Sequence, residues 1–184
     1  MKFSPTALSE VMIIEPTVFN DDRGYFFEIR QQQKFSEAGI TLPFVQDNMS
    51  RSKRGVIRGL HYQVQQPQGK LVRVVAGKVF DVAVDIRRNS PTFGKWISAI
   101  LSAENNHQIW VPPGFAHGFY VLSDFADVIY CCTDFYAPQY ERTIIWNDPE
   151  LAINWPLIDN EVPILSPKDA QGLLIKNSEC YNNL

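Results

Sequence analysis

The chain has 184 residues, 45% of them hydrophobic and 20% charged, with a net charge of −3. This is an ordinary globular composition, enough for one domain, expected over residues 1–184, with a sizeable core. It excludes a disordered chain, and without a basic stripe it argues against a nucleic-acid partner. No stretch approaches the roughly 20 apolar residues of a membrane span, and the opening Met-Lys-Phe-Ser-Pro lacks the apolar run of a secretory signal. Cys131, Cys132 and Cys180 match neither a disulfide framework nor a CxxC zinc pattern, so a reducing, cytoplasmic setting is expected.

In chain order, runs rich in Val, Ile, Phe, Tyr and Trp predict strands at Val11–Pro16, Tyr25–Arg30, Phe44–Ser50, Val56–Gln63, Lys70–Ala76 and Lys78–Arg87. Further strands are predicted at Lys95–Ser102, Gln108–Val111, His117–Leu122, Asp127–Thr133 and Thr143–Trp146. They recur about every ten residues with Gly, Pro, Asn or Ser between them, a spacing that suggests a sandwich or barrel rather than alternating β and α units. Two short helices are expected. Gln31–Ala38 stops at Gly39, and Lys168–Leu174 follows Ser166-Pro167, an N-cap with proline at the first helical position. The tail from about Asn177 is polar and expected to fray.

Strict alternation along Lys78–Arg87 puts Phe80, Val82, Val84 and Ile86 on one face and Val79, Asp81, Ala83 and Asp85 on the other. The second face can line a polar cavity, but the general exposure of aspartate favours solvated carboxylates on an outer face. Of the three histidines, His107 lies in the polar run Glu104-Asn105-Asn106-His107 and is read as a surface residue. His61, in Arg58-Gly59-Leu60-His61-Tyr62-Gln63, and His117, in Gly114-Phe115-Ala116-His117-Gly118-Phe119, sit among apolar residues and glycines, where a backbone can approach a ligand closely. By itself a histidine in such a strand is more often a satisfied core residue.

Arg58-Gly59-Leu60-His61-Tyr62-Gln63, followed by Gln68-Gly69-Lys70-Leu71-Val72, resembles the dTDP-4-dehydrorhamnose 3,5-epimerase family. The resemblance runs along nearly the whole chain. It includes Asp22-Arg23-Gly24-Tyr25-Phe26-Phe27-Glu28, Val45-Gln46-Asp47-Asn48 with Ser50, and Phe80 to Arg87. It continues through Ser90-Pro91-Thr92-Phe93-Gly94, the His117 segment, Trp146-Asn147-Asp148-Pro149 and Trp155-Pro156. Each motif is weak alone; their ordered co-occurrence is specific.

The resemblance implies an all-β, cupin-type jelly roll with a few short peripheral helices. It also implies a homodimer, with the N-terminal strand pairing across chains, that inverts C3 and C5 of dTDP-4-keto-6-deoxyglucose without a metal or other cofactor. Both carbons flank the C4 ketone, so their protons become removable once the enolate is stabilised. Within the resemblance His61 matches the base, Asp169 the carboxylate that orients it, Tyr130 the opposite-face acid and Lys70 the cation beside the enolate oxygen. Tyr136 is a second candidate acid, and Asp81 or Asp85 a candidate to hold Lys70. General acid–base catalysis supplies about 10²–10⁴-fold, roughly 3–5 kcal/mol. Enzymes lower barriers by about 8–23 kcal/mol, so positioning and charge at the enolate oxygen must supply the remainder.

Arg23, Glu28, Gln46, Asp47, Asn48, Arg58, Lys70, His117, Glu141 and Lys168 match positions that bind the nucleotide-sugar, with arginine suited to the diphosphate. Alternation places Arg58 and His61 on opposite faces. Either Gly59 marks a bulge that reconciles them, or Arg58 reaches in from a partner edge. Three alternatives remain. A metal-dependent cupin is disfavoured because His61-Tyr62-Gln63 replaces the usual His-x-His pair. The others are a non-catalytic sugar-binding cupin and a relative that inverts one carbon or isomerises the ketone.

Overall fold

The computed structural model describes residues 1–158 and 161–182. The strands are β1 (Lys2–Pro5), β2 (Met12–Glu15), β3 (Phe19–Asp21), β4 (Gly24–Phe26), β5 (Gln46–Lys53), β6 (Ile57–Gln63) and β7 (Lys70–Ala76), followed by β8 (Lys78–Asp85), β9 (Trp96–Ser102), β10 (Gln108–Val111), β11 (Phe115–Val121), β12 (Phe125–Cys132) and β13 (Glu141–Thr143). Two short helices, α1 (Gln32–Glu37) and α2 (Pro167–Ala170), lie outside the sheets.

The strands form a six-stranded sheet, β1-β2-β10-β7-β12-β5, and a five-stranded sheet, β13-β6-β11-β8-β9. Antiparallel pairs β5·β12 and β7·β10 belong to the first sheet, and β6·β11 and β8·β9 to the second. Eight consecutive strands thus fold as one long hairpin whose pairs alternate between sheets, which is a jelly roll. Apolar side chains from both inner faces, including Val72, Val74, Ala83, Leu101, Ile109, Val121 and Val128, form the core between the sheets. The outer face of the five-stranded sheet is covered by the C-terminal segment through Leu151, Trp155 and Ile175. Phe35 of α1, with Ile40, covers part of the other sheet over Ile14, Leu71 and Trp110. No helix among the described residues is long and apolar enough to cross a membrane.

Several expectations need correction. The chain from Tyr25 to Arg30 is a strand only to Phe26, because its partner is the three-residue β3; beyond that it has no ladder partner. β1 and β3, which the pattern did not announce, pair with β2 and β4. The expected helix Lys168–Leu174 ends at Ala170. Ser166 caps it, and then Leu173 donates its N–H to Thr143 and bridges to Ile144, so sheet-edge pairing replaces the last helical turn. Helix α1 ends as expected beside Gly39, whose φ of +88° suits glycine. Asp81 and Asp85 are fully buried rather than solvated, since β8 is flanked by β11 and β9 and covered on both faces. The tail is docked to residue 182. Ser178 is buried, Tyr181 bridges to Arg87, and its hydroxyl donates to the Gln63 carbonyl. Residues 183 and 184 lie outside the described residues. His107 is half-buried at the entry to β10, with its N–H on the Asn105 side chain.

Candidate active site

One end of the sandwich opens into a cavity of about 310 Å³ whose walls come from both sheets. From the five-stranded sheet come Arg58 and His61 of β6, His117 and Phe119 of β11, and Glu141 of β13. The six-stranded sheet contributes Gln46, Asn48 and Ser50 of β5, Lys70 of β7 and Tyr130 of β12. Gln68, Tyr136 and Lys168 complete the rim. A strand face between packed sheets is normally apolar, so the polar inner face of β5 marks a ligand-lined wall.

Arg58 and His61 line the same cavity because β6 bulges between them. His61 pairs with His117 and Arg58 with Phe119, three steps on β6 against two on β11. Gly59 and Gly118 make this possible. A Cβ on Gly59 (φ +129°) would lie 2.5 Å from the Gly118 Cα, and one on Gly118 would lie 2.7 Å from the Arg58 carbonyl oxygen. The bulge reading of Gly59 therefore holds within one chain.

His61 Nε2 lies 2.5 Å from Asp169 Oδ1. Burial pushes the Asp169 carboxyl up, but hydrogen bonds from His61 and Ser166 together with the charges of His61 and Lys168 hold it below its usual range, so the carboxylate accepts and His61 Nε2 carries the hydrogen. That leaves Nδ1 as the basic nitrogen. Burial chiefly lowers the His61 pKa, opposed by Asp169, so the ring is neutral and ready to take a proton. Asp169 is positioned by the α2 cap: its N–H donates to Ser166 Oγ, whose hydroxyl returns a bond of 2.7 Å to Asp169 Oδ2.

Tyr130 stands on the opposite sheet. Burial raises its pKa, keeping the phenol protonated, and its hydroxyl has no hydrogen-bond partner among the described residues. The Tyr136 hydroxyl is committed to Glu141 Oε2 at 2.8 Å, which helps push its pKa up to about 12. Lys70 donates to the His61 carbonyl at 3.4 Å, and burial lowers its pKa against the attraction of Cys132, Glu141 and Asp81.

Neither aspartate holds Lys70 by a hydrogen bond. Both Asp81 oxygens, at 3.0 and 2.9 Å, face His117 Nε2, and Asp85 binds Arg87, Ser90 and Thr92 away from the cavity. Three expected ligand-binding residues also lie outside the cavity of this chain. Arg23 pairs with Asp21 in the exposed β3–β4 hairpin, Glu28 pairs with Lys34, and Asp47 points to the far face of β5 beside Cys131. Ser50, Gln68 and Phe119 line the cavity although the sequence named them only within motifs and not as site residues; the period of two from Asn48 and from His117 carried the signal for the first and last. Among the described residues no three His, Cys, Asp or Glu side chains converge to bind a metal ion.

The arrangement can remove a proton from a bound carbon on one side and supply one from the other, with the Lys70 amine in the same cavity. The family model for dTDP-4-dehydrorhamnose 3,5-epimerase matches residues 5–177. The dTDP-4-dehydrorhamnose 3,5-epimerase of Pseudomonas aeruginosa is 58% identical over 182 residues, covering 98% of this chain and 99% of that protein. Among solved structures, the dTDP-6-deoxy-D-glucose-3,5-epimerase of Legionella pneumophila Philadelphia 1, in complex with dTDP-4-keto-L-rhamnose, is 54% identical. It covers 100% of this chain and 98% of its own, with a TM-score of 0.96. A 3'-monoepimerase from Streptomyces bikiniensis, in complex with dTDP-quinovose, is 34% identical, covers 94% and 87%, and has a TM-score of 0.88.

Proposed function

The chain belongs to the dTDP-4-dehydrorhamnose 3,5-epimerase family, and we propose that it inverts both C3 and C5 of dTDP-4-keto-6-deoxyglucose, without a metal or other cofactor. The observation that carries this reading is the placement of the His61–Asp169 pair and Tyr130 on opposite sheets around one cavity. His61 Nδ1 takes the proton from a carbon next to the ketone, and the electron pair of the C–H bond moves into an enolate whose charge rests on the C4 oxygen. Lys70 stabilises that oxygen. Tyr130 then gives its proton to the same carbon from the other face, which inverts it, and the cycle repeats at the second carbon after both groups exchange with solvent. Tyr130 suits the acid role better than Tyr136, whose proton is held by Glu141.

Arg58, Lys70 and Lys168 give the cavity the cationic character a nucleoside diphosphate requires, and His117, Gln46 and Asn48 offer ring and amide groups to its polar edges. Arg23 and Glu28 act, in this reading, from the β3–β4 hairpin and the segment after it in a second copy of a homodimer. Phe19, Tyr25 and Phe26, 62%, 64% and 71% exposed, are the apolar surface that such a partner would cover. Three free thiols fit a cytoplasmic setting.

The test is to incubate chelator-treated protein with the keto-sugar in deuterated water and follow both carbons by NMR. Deuterium at C3 and C5 with formation of the L-configured product is expected. Label at one carbon alone selects single-carbon epimerisation, no label selects binding without catalysis, and activity that returns only with added metal overturns the cofactor-free mechanism.

A further inference from the structure

We propose that Ser52 is a positioning residue that aims Arg58 at the anionic part of the ligand while leaving the charge of Arg58 uncompensated. The proposal rests on the nucleotide-sugar reading and adds to it a residue that lies outside the cavity wall.

Gln46, Asn48 and Ser50 face the cavity from β5, and Ser52 is the next residue on that face, only 5% exposed. Its Oγ accepts a hydrogen bond from Arg58 Nε at 2.8 Å. The Arg58 Nη2 group donates to the Arg51 carbonyl at 3.4 Å. Arg51 pairs with Asp127 in the β5–β12 ladder, and its side chain binds the Asp127 carboxylate at 2.7 and 2.6 Å, so the carbonyl that receives Arg58 belongs to a paired strand. Both acceptors on Arg58 are neutral. Arg23, Arg51, Arg54, Arg87 and Arg142 each pair with a carboxylate; Arg58, like Arg30, Arg73 and Arg88, has no carboxylate partner among the described residues, and of these four it alone lines the cavity. The Nη1 donors therefore remain for a ligand in the cavity that Arg58 lines.

The choice of a hydroxyl has a chemical consequence. A carboxylate at residue 52 would fix the guanidinium equally well but would cancel the charge an incoming diphosphate needs. A hydroxyl fixes the direction alone. Arg58 is exposed and long, and without this anchor its rotamers would have to be ordered by the ligand at the expense of affinity.

The test compares Ser52→Ala, Ser52→Thr and Ser52→Asp for binding of dTDP and of uncharged thymidine, together with turnover of the keto-sugar. Ser52→Ala should weaken dTDP about two- to tenfold, the effect of ordering one long side chain, and raise KM by a similar factor with kcat little changed. Thymidine binding should be unaltered, Ser52→Thr should restore dTDP binding, and Ser52→Asp should weaken dTDP more than Ser52→Ala does. In an Arg58→Ala background, Ser52→Ala should add nothing.

Unchanged dTDP affinity in Ser52→Ala, equal losses for dTDP and thymidine, or additive losses with Arg58→Ala would each overturn the proposal. If Ser52→Asp does not fold, the Ala and Thr variants still decide. A wild-type protein that binds dTDP but does not turn over the keto-sugar would overturn the catalytic reading alone, leaving the dTDP measurements to judge Ser52.

Discussion

In the proposed mechanism His61 and Tyr130 divide the proton chemistry between two sheets, and each should fail in its own way when replaced. His61→Ala is expected to abolish exchange at both carbons, a loss of at least the roughly 10²–10⁴-fold that a general base supplies. Tyr130→Phe should still permit exchange from the His61 side but lose inversion, which NMR of the recovered sugar distinguishes. Normal turnover by His61→Ala would end the assignment. The acid limb of the rate profile follows from the His61 pKa. Burial lowers it beneath the ordinary 6.5, and the proposed mechanism needs the neutral ring as its base. Activity therefore persists below pH 6.5 and falls only as the pH drops through the lowered value. Asp169 opposes that shift, so Asp169→Asn should move the limb to still lower pH while reducing the plateau, because the amide no longer holds the reactive tautomer. A limb moving upward in pH would contradict the pairing.

The β6–β11 crossing is where backbone shape becomes chemistry. Its bulge turns both Arg58 and His61 into the cavity, and it exists because two glycines let the strands approach within distances no Cβ tolerates. Gly59→Ala should lower the thermal midpoint and reduce activity more than a surface substitution of the same strand, since the new methyl meets the backbone of Gly118 and His117. A variant with unchanged midpoint and turnover would show that the crossing is not constrained in this way. The location of β6 was readable from its residues, and Gly59 was readable as a marker of irregularity. The direction of Arg58 was not, because two alternative geometries satisfied the same local pattern until the register with β11 was known. Tyr25–Arg30 shows the converse: good strand residues formed no extended strand where no partner strand was in reach.

The molecule as a whole leaves the β3–β4 hairpin with its aromatic rings and Arg23 exposed. If that hairpin serves a second copy, the protein should sediment as a dimer, and Arg23→Ala should weaken dTDP binding without altering a cavity from which Arg23 is absent. A monomer with full activity, or unaltered dTDP affinity in Arg23→Ala, would overturn that arrangement.

From the residues alone came the run of short strands, the β-sandwich class, and an ordered set of motifs whose family resemblance the family match and the 58% identity to a relative bear out. These are legible because strand propensity, turn residues and motif order are local properties of the chain. Tertiary structure alone decided which faces are covered. Asp81 and Asp85 alternate as solvated residues would, yet they are buried because neighbouring strands and packed faces enclose β8. The same folding brought Asp169 to His61 across 108 residues of sequence and left Asp47 on the far face of β5. Alternation records that two faces differ. Which of them meets water depends on segments distant in the chain, and only their packing settles it.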